Sequence, residues 1–254
     1  MSGVLAIFAH PDDESLVAGG TLAACAAAGV PVRVVSMSRG ELGPVRTRPA
    51  LTPPELGAVR ERELRDAARE LGVEAAECLA YPDSGLGAVD AVPATRELAA
   101  RIAAWRPRAL ITFGAEGLYG HPDHLAVHAL VRAAAAPAGV PWVYGATMPR
   151  DRMAELVLAM RARGLPTDLW GLHPGLFGVA DEEIAVTIDV RAFVERKLRA
   201  LRCHATQLGP RHLLSAIPAD LAERFLGEES FVRVRPRAAA ADWLTGALAG
   251  RCAA

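Results

Sequence analysis

Short apolar or β-branched runs recur along the chain, separated by longer stretches in which apolar positions repeat every three to four residues. The runs at 3–9 (GVLAIFA), 31–37 (PVRVVSM), 76–80 (AECLA), 108–113 (RALITF), 140–145 (VPWVYG) and 184–188 (IAVTI) are bounded by turn residues and predict strands. Between them, helical spacing predicts helices over 15–28, 55–71, 93–105, 123–136, 150–163 and 191–204. Such alternation implies parallel strand pairing with helices over both faces, an α/β fold with a Rossmann-like, doubly wound, mostly parallel sheet. In sheets of this class ligands bind beyond the carboxyl ends of the strands, so the residues just after each run matter most for function. From about 219 onward the pattern suggests a helix, an SFVRVR strand and a last short helix, which would extend the sheet or cover an edge. No internal repeat or linker breaks the chain, so 1–254 is expected to be one domain, with 219–254 as its C-terminal extension. Three long loops, 39–54, 81–91 and 205–218, are candidates for lining a site.

Composition narrows the partner. A hydrophobic share of 52% over 254 residues is ample for a large core. A formal net charge of -1, with no run of like charge, gives no footprint for nucleic acid or an anionic membrane, so a small molecule is the expected partner. The four cysteines, Cys25, Cys78, Cys203 and Cys252, form no C-x-x-C pair, which argues against a disulfide framework or a cysteine zinc knuckle. A reducing, cytoplasmic location is expected, because the first apolar run is also too short for a signal peptide and no stretch reaches membrane-spanning length. Homo-oligomerisation is left open by the pattern.

Candidate chemistry lies at two strand ends. AHPDDE (9–14) follows the first run, and YGHPDH (119–124) follows the run ending at Phe113. Two strands of one parallel sheet would bring both clusters to the same edge, as a metal site requires. Residues three apart share a side of a first helical turn, which pairs His10 with Asp13 and His121 with His124. Imidazole and carboxylate suit a borderline divalent ion, and three protein ligands with an open position describe a catalytic site. Zn2+ leads and Fe2+ is the second choice. Spacing alone leaves His121 and His124 as alternatives for the third ligand. His128, four after His124, could form an H-x-x-x-H pair, but no glutamate follows His124 as in H-E-x-x-H, so packing on a helix face is preferred for it.

AHPDDES followed by YGHPDH resembles the PIG-L/LmbE family of metal-dependent de-N-acetylases. SRGELG (38–43), VRERELRDAARELGV (59–73), PDSG (82–85) and KLRALRCHATQ (197–207) extend the resemblance over roughly the first 200 residues. It implies that His10, Asp13 and His124 bind zinc, that Asp12 is the general base, and that His121 stabilises the oxyanion and serves as an acid. Tyr119 would assist the same oxygen. Arg60 and Asp83 match positions that hold sugar hydroxyls, and Glu41 lies in a loop that lines the pocket. The implied substrate is a small N-acylated amino sugar or glycoside. Glu14 would cap the helix start or orient a ligand.

Rival readings are an amidase for a larger acyl or thiol-conjugate amide, an Fe(II) oxygenase using the same two histidines and carboxylate, and a degenerate sugar-binding module. The α/β alternation disfavours the oxygenase, and a base beside three ligands disfavours pure binding. His204 could approach the pocket or sit in the core, whereas His173 and His212 read as ordinary loop residues. Trp105, Trp142, Trp170 and Trp243 read as core or cover, with Trp170 in DLWGLHPG the one candidate for pocket lining. GLGAVD (85–90) is an incomplete dinucleotide fingerprint, and neither a G-x-S-x-G elbow nor a Walker A loop occurs.

Overall fold

The six apolar runs become strands β1 (Val4–Phe8), β2 (Val32–Ser38), β3 (Ala75–Tyr81), β4 (Ala109–Phe113), β5 (Trp142–Thr147) and β6 (Val186–Asp189), and the SFVRVR segment forms β7 (Glu228–Arg235). The computed structural model describes residues 3–45, 51–236 and 241–249, so Cys252 and positions 46–50 of the 39–54 loop lie outside the described residues. The sheet order is β3-β2-β1-β4-β5-β7-β6. β1 pairs in parallel with β2 (Val4↔Val32, Phe8↔Ser36) and with β4 (Val4↔Ala109, Ala6↔Ile111). Strand order reverses between β1 and β4, which opens a crevice at their carboxyl ends. Every residue of these two strands is buried, as expected when helices cover both faces.

The helices are α1 (Asp13–Val17), α2 (Gly19–Ala27), α3 (Pro53–Leu71), α4 (Ala91–Trp105), α5 (Gly117–Gly120), α6 (Pro122–Ala135), α7 (Arg152–Ala162), α8 (Val194–Cys203), α9 (Leu213–Ala216), α10 (Ala219–Leu226) and α11 (Trp243–Leu248). None is long and apolar enough to cross a membrane among the described residues.

Two expectations change. The helix over 15–28 is two helices, broken at Ala18 (φ -141, ψ 4). The second one starts afresh because the N–H groups of Gly20 and Thr21 donate to the Glu229 carboxylate at 2.8 and 2.7 Å. That buried carboxylate also takes Lys197 Nζ at 2.7 Å, which neutralises it. The sheet is mostly parallel, as expected, but the last strand of the chain neither extends the sheet nor covers an edge. After β6 the chain makes α8, α9 and α10 instead of a single crossover helix, and β7 returns antiparallel between β5 and β6. β7, from the segment expected as an extension, therefore lies inside the sheet.

Candidate metal centre and active site

At the end of β1 the backbone turns sharply. Asp12 has φ 118 and ψ -28, a conformation that disfavours any side chain and typically costs about 1–3 kcal/mol. Two buried groups, Glu14 and Arg60, hold it there. Asp12 N–H donates to Glu14 Oε2 at 3.0 Å, and Glu14 Oε1 accepts from Ser15 Oγ at 2.6 Å and lies 2.8 Å from His204 Nε2. Arg60 Nη2 donates to Pro11 O at 2.6 Å and to Asp12 Oδ2 at 3.1 Å, while its Nη1 reaches Gly40 O at 2.8 Å. Gly40 has φ 64, and any side chain there would collide with that guanidinium. The turn sends the Asp12 and Asp13 side chains to different neighbours, so two adjacent acids meet different surroundings.

At the end of β4, His121 caps helix α6. Its Nδ1 accepts the Asp123 N–H at 3.1 Å, and Pro122 occupies the first helical position, where its fixed φ suits the turn. Asp123 is buried, with Oδ1 accepting from Leu86 N–H at 3.0 Å and Oδ2 3.2 Å from His10 Nε2. His124 stacks flat on Phe113, centroids 3.8 Å apart at 5°, and its Nδ1 is 3.1 Å from Gly117 O.

These bonds assign the ring protons. A carbonyl only accepts, so His124 carries its proton on Nδ1 and turns a bare Nε2 inward. That nitrogen is buried without a hydrogen-bond partner and lies 3.3 Å from Asp13 Oδ1. His10 Nε2 faces Asp83 Oδ1 and Asp123 Oδ2, both at 3.2 Å, which leaves its Nδ1 3.4 Å from Asp13 Oδ2. Lone pairs of His10, Asp13 and His124 thus converge, and lone pairs at such distances repel unless positive charge lies between them. One ligand atom from each of the three residues lies within 4.8 Å of the others, close enough for a single ion to be shared. The residues fit a divalent cation. Burial opposes protonation of His10, yet Asp123, Asp13 and Asp83 outweigh it and raise its pKa well above the usual range. Asp13 is held well below its usual range although burial raises it, because His124 and His10 face it. The cluster demands positive charge, from a proton or a metal.

A second trio, His10, His121 and Asp123, also lies within ligand reach. It is the poorer fit, since both Asp123 oxygens and His121 Nδ1 already have partners.

Around this centre, burial pushes the Asp12 carboxyl up to about 6 against the pull of Arg60. Burial and the imidazoles of His124 and His10 push His121 down to about 4. His121 is therefore neutral, and with Nδ1 accepting, its proton sits on Nε2. Tyr119 follows Leu118, whose φ is 65, and its ring lies 5.8 Å from His121 and 5.2 Å from His124. Burial and the charge of Asp13 raise its pKa, so the phenol keeps its proton.

Residues 5–135, which contain both H-P-D clusters, match the family model described as PIG-L, GlcNAc-PI de-N-acetylase. The chain belongs to the PIG-L family. A relative from Acidothermus cellulolyticus, named 1D-myo-inositol 2-acetamido-2-deoxy-alpha-D-glucopyranoside deacetylase, is 35% identical over 91% of this chain and 88% of its own. A protein of the same name from Mycolicibacterium smegmatis is 32% identical over 97% and 96%. Among solved structures, the A40926 pseudoaglycone deacetylase Dbv21 superposes with TM-score 0.62 at 21% identity, covering 94% of this chain and 99% of that one. The 4-carboxy-2-hydroxymuconate hydratase GalB from Pseudomonas putida superposes with TM-score 0.66 at 20% identity, over 95% and 100%. The PIG-L fold thus carries more than one reaction, and the site has to decide which.

In this PIG-L chain a cavity of about 280 Å³ opens over the centre and is lined by His10, Asp12, Asp13, Arg60, Asp83, Tyr119 and His121. Not every anticipated contact faces it freely. Arg60 is 3% exposed, and both of its terminal nitrogens are taken by protein oxygens. Asp83 accepts from Leu42 N–H at 2.7 Å and faces His10; burial raises its pKa, but these partners bring it down to about 2. Glu41 does not line the cavity: its Oε1 accepts the Asp83 N–H at 3.1 Å, and it borders a separate hollow beside Arg39 and Tyr81. His128 bonds Phe113 O through Nδ1 at 2.9 Å and joins neither ligand group, so H-x-x-x-H is not formed. His204 is buried behind the site on Glu14, and burial, which lowers its pKa, is outweighed by that carboxylate. His173 caps a short exposed turn, whereas His212 is buried and caps α9. Trp170 lines the cavity, with Leu172, Gln207 and Leu208. Sequence reasoning missed Asp123 as a partner of His10, although its place in H-P-D, beside an implied ligand, was the available signal.

Proposed function

We propose that the chain removes the acetyl group from an N-acetylated amino-sugar glycoside, the substrate class named for its relatives, by metal-assisted hydrolysis. The observation that carries this reading is the convergence of three lone pairs from His10, Asp13 and His124 beside an elevated Asp12 carboxyl on the cavity floor. His10, Asp13 and His124 would hold a divalent cation, zinc by its acceptance of N/O ligands or alternatively iron(II), which would supply a Lewis acid and a water of lowered pKa.

Asp12, which lines the cavity next to Asp13, accepts a proton from the water that attacks the acetamide carbonyl carbon. His121 donates its Nε2–H to the carbonyl oxygen as negative charge develops there, and the neutral Tyr119 phenol donates to the same oxygen. The proton on Asp12 then passes to the departing amine. Arg60 and Asp83, both engaged by protein partners, position Asp12 and His10, and Glu41 holds the Asp83 backbone.

The test combines elemental analysis of the purified protein with acetate release from GlcNAc-inositol and simple N-acetylglucosaminides, before and after chelation. About one zinc or iron per chain and chelator-sensitive acetate release is the expected result. Metal without acetate would redirect the reading to larger acyl amides or to lyase chemistry, and no metal would end it.

A further inference from the structure

The cavity has a mixed lining. Beside the charged groups of the metal centre it is lined by Trp170, Leu172, Leu208, Leu201, Leu42 and Leu16, with Gln207 and Ser84 as uncharged polar members. Leu42, 58% exposed, sits among these wall residues. Trp170 is anchored in place. It adopts φ 53, its ring packs on His212 with centroids 4.2 Å apart, and the flanking Asp168 forms a parallel bridge with His212. His212 is fixed in turn by the Leu214 N–H on its Nδ1 at 3.2 Å. With the acetamide at the metal centre, an aglycone that reaches Trp170 meets this apolar lining. A polyol placed there would find few side-chain partners, Gln207 and Ser84, to replace the water its hydroxyls shed, whereas an apolar ring would stack on an anchored aromatic surface.

We propose that Trp170 and the leucine wall form a subsite that selects glycosides with an apolar, ring-shaped aglycone over those with a small or polyol one. This inference rests on the deacetylase reading for its substrate frame. It makes Trp170 a specificity-determining residue.

The experiment compares benzyl and methyl 2-acetamido-2-deoxy-α-D-glucopyranoside and GlcNAc-inositol with the metal-loaded enzyme, reading kcat/KM for acetate release and, separately, calorimetric Kd. The benzyl glycoside should exceed the methyl and inositol ones about tenfold, mainly through KM and Kd. Trp170→Ala should bring the benzyl-to-methyl ratio within about twofold, and Trp170→Phe should keep most of it. A wild-type ratio near one, a preference for the inositol glycoside, or a ratio that survives Trp170→Ala would overturn the proposal. Because Kd reads the ratio without turnover, binding preference in the absence of acetate release would fault the deacetylase reading and leave the subsite standing.

Discussion

His10-Pro11-Asp12-Asp13 and His121-Pro122-Asp123-His124 share three residues of four and each lead into a helix, the first directly after β1 and the second after β4 and α5, yet their members have different surroundings. The fourth positions agree in kind: Asp13 and His124 both turn inward and face each other at 3.3 Å. The third positions diverge. Asp12 sits on a left-handed backbone, lines the cavity and has its pKa pushed up to about 6 by burial, against the pull of Arg60. Asp123 sits in the first turn of α6, takes Leu86 N–H and faces His10 Nε2, which hold its pKa down although burial works the other way. The first positions diverge too, since His10 turns a lone pair toward Asp13 while His121 spends its Nδ1 on a helix cap. One tripeptide is therefore used once to line the cavity with an acid and once to bury one as a brace.

Changing the members one at a time breaks or sharpens this comparison. His124→Ala removes a fourth position and should abolish both bound cation and acetate release, as metal analysis of the purified variant will read. His121→Ala should keep the cation and lower kcat by about 10²–10³, the usual loss for one oxyanion donor. Asp123→Asn should weaken cation affinity about 10–100-fold in a chelator competition while kcat at saturating metal changes little, as befits a brace on His10. The smallest effect is graded by pH. Asp12 must be ionised to accept a proton, so kcat/KM should fall about tenfold per unit as pH drops through and below about 6 and level off above it. A cation beside Asp12 stabilises its ionised form and moves that limb lower; a limb rising toward acid would contradict the assignment.

Much of this site was legible because H-P-D clusters after apolar runs report both strand ends and ligand types. Position in the sequence could not report which partners each side chain had already taken. Arg60 and Asp83 carry the residue types that hold sugar hydroxyls, but buried contacts from Pro11, Gly40, Leu42 and His10 occupy them. Glu41 differs for the same reason, being claimed by the Asp83 backbone. In the fold, the parallel core around β1 followed from periodicity. The break at Ala18 did not, because it depends on Glu229, more than 200 residues from the helix it caps, and neither did the place of β7 between β5 and β6, which is set by long-range pairing.

The central claim is that Asp12 is the proton acceptor and not a ligand. Asp12→Asn, assayed for metal content and acetate release in the same preparation, tests it most directly. The account predicts wild-type cation content with kcat lowered by about 10²–10⁴; near-normal turnover, or loss of the cation, would contradict it.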